Sequence, residues 1–175
     1  QMLQELFDKK IIIFHNAKFD LAFFEYHFNF TFPNFEDTML LHYCLDEVPG
    51  GHGLKQLAME HTLYGDYEKP MYDWIDQYKK QHRILKADFQ WGSIPFDVMK
   101  VYAAMDAVVT LLVFEKLYPA VRKNAKLFSV YENILIPGCR MLTDIQDNGV
   151  PFDKLRLLKG RDLMQNDIDE AVAKL

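Results

Sequence analysis

Two short stretches of this sequence place acids where an acid is either costly or well positioned to act. In Tyr102-Ala103-Ala104-Met105-Asp106-Ala107, Tyr102 and Asp106 stand at i and i+4 and share a helical face that continues through Val109 and Val113. The opposite stripe, Val101, Ala104, Val108 and Leu112, is apolar too, which predicts a buried helix with Asp106 in low-dielectric surroundings. An ionised carboxylate there is unfavourable unless a cation or strong donors compensate it. The second stretch, His15-Asn16-Ala17-Lys18-Phe19-Asp20, puts Asp20 in the first turn of a helix, flanked by Phe19, Leu21, Phe23 and Phe24. Taken singly, Asp20 reads as a complement to the helix dipole, and Asp106 as an acid bonded to a nearby backbone amide. Taken together, they are two acids able to share a divalent cation.

The elements that must position them are legible in outline. Gln1–Asp8 reads as the end of an amphipathic helix, and Lys10–Phe14 is a short β-branched run that predicts a buried strand. His15-Asn16 breaks that strand, and Lys18–Phe28 is predicted helical, so Asp20 follows a strand end, a common position for functional groups in α/β folds. Asp37 or Thr38 caps a helix reaching about Asp46, and Leu54–His61 forms another. Tyr64–Gly92, rich in aromatic and charged residues, is predicted to be a mobile excursion with a helix over Met71–Gln81. Pro95 and Asp97 open a long helix that Tyr118-Pro119 closes. Beyond Leu127 the pattern turns to long helices. Val130, Ile134, Met141 and Ile145 lie on one stripe, Asn148-Gly149 gives a C-cap signal, and Asp153 caps a last helix with Leu155, Leu158, Leu163, Ile168, Val172 and Leu175 periodic. A domain boundary is placed near Lys126.

Composition sets the bounds. The chain has 175 residues, half of them hydrophobic, enough to bury a core. No apolar run approaches the ~18 residues of a membrane span, and no signal-peptide pattern opens the chain. Cys44 and Cys139 read as reduced, partly buried thiols of a cytosolic protein. A net charge of −5 does not advertise a nucleic-acid binder. A carboxylate-rich metal site lowers the isoelectric point, however, and local basic patches can meet phosphates. Lys79-Lys80-Gln81-His82-Arg83 with Lys86, and Arg122-Lys123 with Lys126, are such patches, or else solvated helix faces.

Asn16-Ala17-Lys18-Phe19-Asp20 resembles the N-x-x-[FY]-D motif, and Tyr102-Ala103-Ala104-Met105-Asp106-Ala107 the Y-A-A-x-D-A motif, of the tyrosine-containing DnaQ-like (DEDD) exonucleases. Asp37-Thr38-Met39-Leu40-Leu41 and His52-Gly53-Leu54-Lys55-Gln56-Leu57-Ala58 resemble elements that lie between those motifs. Glu132-Asn133-Ile134-Leu135-Ile136-Pro137, followed by Met141, Asn148-Gly149-Val150 and Asp153, resembles the start of the polymerase domain in bacterial or phage polymerase I. RNase D-like RNA exonucleases, the neighbouring branch, do not continue this way.

The resemblance implies an α/β, ribonuclease H-like exonuclease domain over residues 1–126, truncated at its N-terminus, with residues 127–175 starting a helical polymerase domain. It implies 3′–5′ proofreading on the 3′ end of single-stranded DNA, in the cytoplasm of a bacterium or a phage-infected host. Two ions, Mg²⁺ or Mn²⁺, about 4 Å apart would serve the reaction. Asp20 and Asp106 would be metal ligands, Tyr102 would orient the attacking water, Asn16 would fix the strand-end loop or touch the DNA, and Phe19 would touch DNA. Phe19 and Phe23 also suit core packing. The family's first motif, D-x-E on an upstream strand, has no counterpart before Lys10; Gln1 and the opening inside a helix suggest an excerpt of a longer protein, and a non-catalytic scaffold domain is the alternative. Asp66-Tyr67-Glu68 repeats the D-x-E letters between Gly65 and Pro70 but lies after motif II, so it is set aside, as is Asp144–Gly149 as a calcium loop.

Overall fold

The computed structural model describes residues 2–174; Gln1 and Leu175, the latter a member of the predicted C-terminal stripe, lie outside the described residues. Helix α1 (Met2–Lys9) leads into strand β1 (Ile12–Phe14), helix α2 (Ala17–Phe28) crosses over, and β2 (Phe35–Asp37) returns parallel to β1. Ile12, Ile13 and Phe14 stand opposite Phe35, Glu36 and Asp37. This βαβ unit is closed by a small aromatic core: Phe14, Leu21, Phe32 and Phe35 are buried with Ala17 and Cys139. The rest is mostly helical.

Helices α3 (Thr38–Leu45) and α4 (Leu54–His61) both pack on α6 (Phe96–Arg122), the longest helix described. Leu41, Leu57 and Ala58 meet Val109, Val113, Leu117 and Val121 there. Between α4 and α6 runs α5 (Lys69–His82), then two 3-10 turns at Lys86–Asp88 and Trp91–Ser93. Met71 and Ile75 of the segment predicted as an excursion form a small core with Ile94, and its helix, Lys69–His82, is longer than the predicted Met71–Gln81.

Pro119 does not close α6, which runs on to Arg122. An interior proline removes one backbone hydrogen bond and costs ~3 kcal/mol. Leu117 and Val121 extend the i, i+4 ladder from Val109 and Val113 into the core on either side of the proline, and their burial outweighs that cost. The second apolar stripe of α6 is also a correction: Val101 is 54% and Val108 45% exposed, so only one face of the helix is packed.

Asn124 caps α7 (Ala125–Val130), accepting from the N–H groups of Lys126 and Leu127. A π-helical turn at Tyr131–Leu135 then hands over to α8 (Ile136–Asn148). The extra residue in that turn changes which side faces the core. Tyr131, Cys139 and Thr143 are buried, while the predicted stripe of Val130, Ile134, Met141 and Ile145 is solvent-exposed. Tyr131 donates to Glu36 Oε2 (2.5 Å) and accepts from the Asp37 N–H (3.0 Å), tying this turn to β2. Tyr131→Phe strands a buried N–H and a carboxylate oxygen, and is expected to cost ~1–3 kcal/mol. Urea unfolding measures it; an unchanged midpoint would contradict the role.

The chain divides into two compact units after Thr143, so the first unit extends past Lys126. In the second, Gly149 takes the left-handed conformation (φ +69°) at the predicted C-cap, its N–H reaching Ile145 O and Gln146 O. Asp153 caps α9 (Lys154–Ala173) through Leu155 and Arg156, and no described residue of α9 is buried. No described helix is long and apolar enough to cross a membrane.

Candidate active site

The site is built at the end of β1. Asn16 sits in the left-handed region (φ 64°, ψ 55°), which asparagine tolerates better than most residues, and turns the chain from strand into helix. Asp37 holds that turn. Its carboxylate accepts from the N–H groups of Asn16 (3.1 Å) and Ala17 (2.8 Å), and from Met39 (2.8 Å) and Leu40 (3.4 Å) at the start of α3. One side chain therefore secures two helix N-termini. Alongside, Thr38 donates its hydroxyl to Phe14 O (3.1 Å) and so must accept from His15 Nδ1 (2.9 Å), which fixes that ring's tautomer. Burial pushes the His15 pKa down, so the ring is neutral near pH 7.

This frame sets Asp20 against α6. Asn16, Phe19, Asp20, Tyr102 and Asp106 all line one open cavity of about 680 Å³. These five candidate site residues thus line one cavity, from segments far apart in the chain, whereas Phe23 does not line it. Two corrections accompany the result. Asp106 is half-buried rather than enclosed, because the far side of α6 is exposed. Phe19 and Phe23 are not core residues; they are 68% and 46% exposed.

The sequence reading missed Tyr67 and Glu68. Both line the same cavity. Tyr67 donates its hydroxyl to Asp106 Oδ1 at 2.6 Å, and its ring stacks on Tyr102 with centroids 6.2 Å apart and planes 18° from parallel. Glu68 pairs with Lys55 at 3.7 Å. The letters Asp66-Tyr67-Glu68 were noticed in sequence, yet nothing local says that the turn before α5 folds back over α6.

Burial, and then the carboxylates of Asp37 and Asp106, push the Asp20 pKa up to about 6. Burial also raises Glu68, against the opposing charge of Lys55. The phenols of Tyr67 and Tyr102 are pushed up by burial and by Asp106, so both remain O–H donors at neutral pH. The carboxylates of Asp20, Glu68 and Asp106 on one solvent-open cavity are oxygen donors of the kind that suit a hard divalent cation. Among the described residues, neither Asp20 nor Asp106 belongs to a group of three or more close His, Cys, Asp or Glu donors.

The raised Asp20 pKa makes a stability prediction. The folded state holds this proton more tightly than the unfolded chain, so the favourable contribution is full below pH ~4 and is lost as pH rises through about 6. Without divalent ions, Asp20→Asn is expected to stabilise the protein at pH 7 by ~1–2 kcal/mol, after discounting for solvent screening. The gain should vanish near pH 4. Denaturant titrations at the two pH values test it, and a destabilised variant at pH 7 would contradict the crowding.

Sequence comparison decides the family. Residues 1–122 match the model described as 3′-5′ exonuclease. The chain belongs to that 3′–5′ exonuclease family of family A DNA polymerases. The exonuclease match contains the whole cavity, whose last lining residue is Thr110. A protein named DNA polymerase from Escherichia phage T5 is 41% identical over 99% of this chain and 21% of its own length. DNA polymerase from Bacillus phage SP01 is 30% identical over 88% of the chain and 16% of its own length. DNA polymerase I from Rhizobium leguminosarum is 32% identical over 69% of the chain and 11% of its own length. The chain thus spans about a fifth or less of these relatives. No solved structure matches it.

The basic stretches are partly engaged elsewhere in this exonuclease domain. Lys79 pairs with Asp76 at 2.8 Å, and Arg122 lies over the Phe128 ring at 5.9 Å. That favours solvated helix faces over phosphate contacts.

Proposed function

We propose that this chain is the 3′–5′ proofreading exonuclease portion of a family A DNA polymerase, with a ribonuclease H-like fold, acting on the 3′ end of single-stranded DNA. One observation carries the reading: Asp20, Tyr102 and Asp106 line the same cavity although they come from a strand-end helix and a distant long helix. Asp20 and Asp106 would hold the divalent cations, Mg²⁺ or Mn²⁺. Such ions supply Lewis-acidic charge that activates water and offsets negative charge on the phosphate.

The chain's own residues do the rest. Tyr102, kept protonated, orients the water that attacks the terminal phosphorus. Tyr67 holds Asp106 Oδ1 in place and props the Tyr102 ring. Phe19, exposed at the cavity edge, offers a face on which the terminal base stacks. Asn16 presents the strand-end turn to the sugar-phosphate backbone. Cleavage releases the terminal mononucleotide and leaves a shortened strand with a free 3′ hydroxyl. Residues 127–175 start the polymerase domain, and the protein works in the cytoplasm of a bacterium or a phage-infected cell; the polymerase names of the relatives support both readings.

The test uses 5′-labelled single-stranded DNA and the chain extended upstream through a D-x-E strand. Mg²⁺-dependent shortening from the 3′ end is expected, blocked by EDTA and slower on RNA. The 175-residue chain alone should be nearly inactive. An extended protein that binds DNA without cleaving it would favour the scaffold reading.

A further inference from the structure

Away from the exonuclease cavity, α3, α4 and the loop between them converge three imidazoles and a carboxylate. We propose that His42, Glu60 and His61 form a separate metal site for a borderline-soft divalent ion, Zn²⁺ in the cell, which ties α3 to the end of α4. None of the three lines the cavity that holds Asp20 and Asp106, so the site stands or falls independently of the nuclease reading.

The geometry comes first. Ligand atoms of His42, Glu60 and His61 all lie within 4.8 Å of one another. His61 Nε2 is 3.9 Å from Glu60 Oε2. A tetrahedral zinc with bonds of ~2.0–2.1 Å separates its ligand atoms by roughly 3.4 Å, so a small side-chain rotation closes the site. Glu60 is already oriented: Gln56 donates to its Oε1 at 2.8 Å, leaving Oε2 toward His61. Outer contacts of this kind commonly fix a metal-binding carboxylate.

The second observation is a deficit. His61 Nε2 and His52 Nε2 are buried with no hydrogen-bond partner. Histidines packed merely as core residues satisfy their ring nitrogens, so two such atoms beside one cluster call for an explanation. A cation on His61 Nε2 supplies one. His52 belongs to the outer layer, its Nδ1 lying 2.8 Å from His42 Nδ1. Only one of those nitrogens can carry the shared proton, so both rings cannot be charged.

The donor set names the ion. Two imidazoles and one carboxylate suit zinc and its late first-row neighbours, whereas Mg²⁺ selects oxygen. Three protein ligands leave a fourth position for water. The mechanical consequence is local. Each of α3 and α4 packs on α6, and α4 brings Leu54 to the cavity and Lys55 to Glu68. An ion linking the two helices would stiffen that wall.

The test is Zn²⁺ binding to the whole chain by calorimetry in excess Mg²⁺, with Co²⁺ as a spectroscopic probe. One Zn²⁺ per chain is expected, with tetrahedral Co²⁺ absorption and a higher thermal midpoint. His61→Gln should weaken binding by at least ~10-fold, the lower bound for losing even an outer contact. Glu60→Gln should also weaken it, and Glu60 is exposed, so that variant carries the test if His61→Gln fails to fold. Asp20→Asn with Asp106→Asn should bind Zn²⁺ unchanged. The proposal is overturned if Zn²⁺ does not bind, if His61→Gln and Glu60→Gln both bind like the parent, or if binding disappears only with the two aspartates.

Discussion

Asp106→Asn, in the chain extended by a D-x-E strand, is expected to lower exonuclease turnover by ~10³-fold or more, since metal-held charge contributes several kcal/mol to such reactions. That factor corresponds to about 4 kcal/mol of lost transition-state stabilisation. The reason is local. Asp106 comes off the packed face of α6 one turn from Val109, where rotation is limited, and Tyr67 grips its Oδ1 at 2.6 Å. Asparagine keeps the shape and can still accept from Tyr67, but it loses the charge that holds a cation. Single-turnover rates on labelled single-stranded DNA read the effect. Tyr102→Phe should retain more activity, losing ~10²-fold, because it removes an orienting hydroxyl and no metal ligand. If Asp106→Asn and Tyr102→Phe were equally active and close to the parent, neither residue would act in catalysis.

The second large effect lies outside the cavity. Asp37→Ala removes the acceptor for four backbone N–H groups, two at each of two helix starts, and leaves the buried Ala17 N–H and the part-buried Asn16 N–H without it. A single lost cap costs ~1 kcal/mol, and hydrogen bonds to a charged group are worth ~1.5–3 kcal/mol each. A loss of ~4 kcal/mol is expected, a large share of a small domain's stability. Asp37→Asn keeps half of the geometry and should fall between. Because Asp37 fixes the Asn16 turn that aims Asp20, a folded Asp37→Asn variant should also show weakened metal binding. Denaturant unfolding and Mn²⁺ titration separate the two consequences. Unchanged stability in Asp37→Ala would remove the basis for this role.

What the sequence disclosed followed how local the signal was. The caps at Asp37 and Asp153, the Gly149 C-cap and the α4 span are written in adjacent residues, and the structure has them. The i, i+4 relation of Tyr102 and Asp106 needed only helical periodicity, and the cavity contains both. Tyr67 was illegible because its contact with Asp106 spans 39 residues and depends on how the turn before α5 folds back. Pro119 misled because local cost argues for a helix end, while Val121 is anchored by packing that no local window contains. The stripe through Val130 and Ile145 failed for a geometric reason: the π-helical turn at Tyr131 shifts the register on which a 3.6-residue count depends. Local sequence offers Asp37 or Thr38 as the cap of one helix, while the second set of Asp37 partners, at the end of β1, comes only with the parallel pairing.

The proposition beneath all of this is that Asp20 and Asp106 close on shared divalent cations. Anomalous diffraction from Mn²⁺-soaked crystals of the upstream-extended chain tests it most directly. Manganese peaks within coordinating distance of both carboxyl groups, lost in Asp106→Asn, are the expected result. Manganese found only at other positions, with the two carboxyl groups bonded to protein alone, would contradict it.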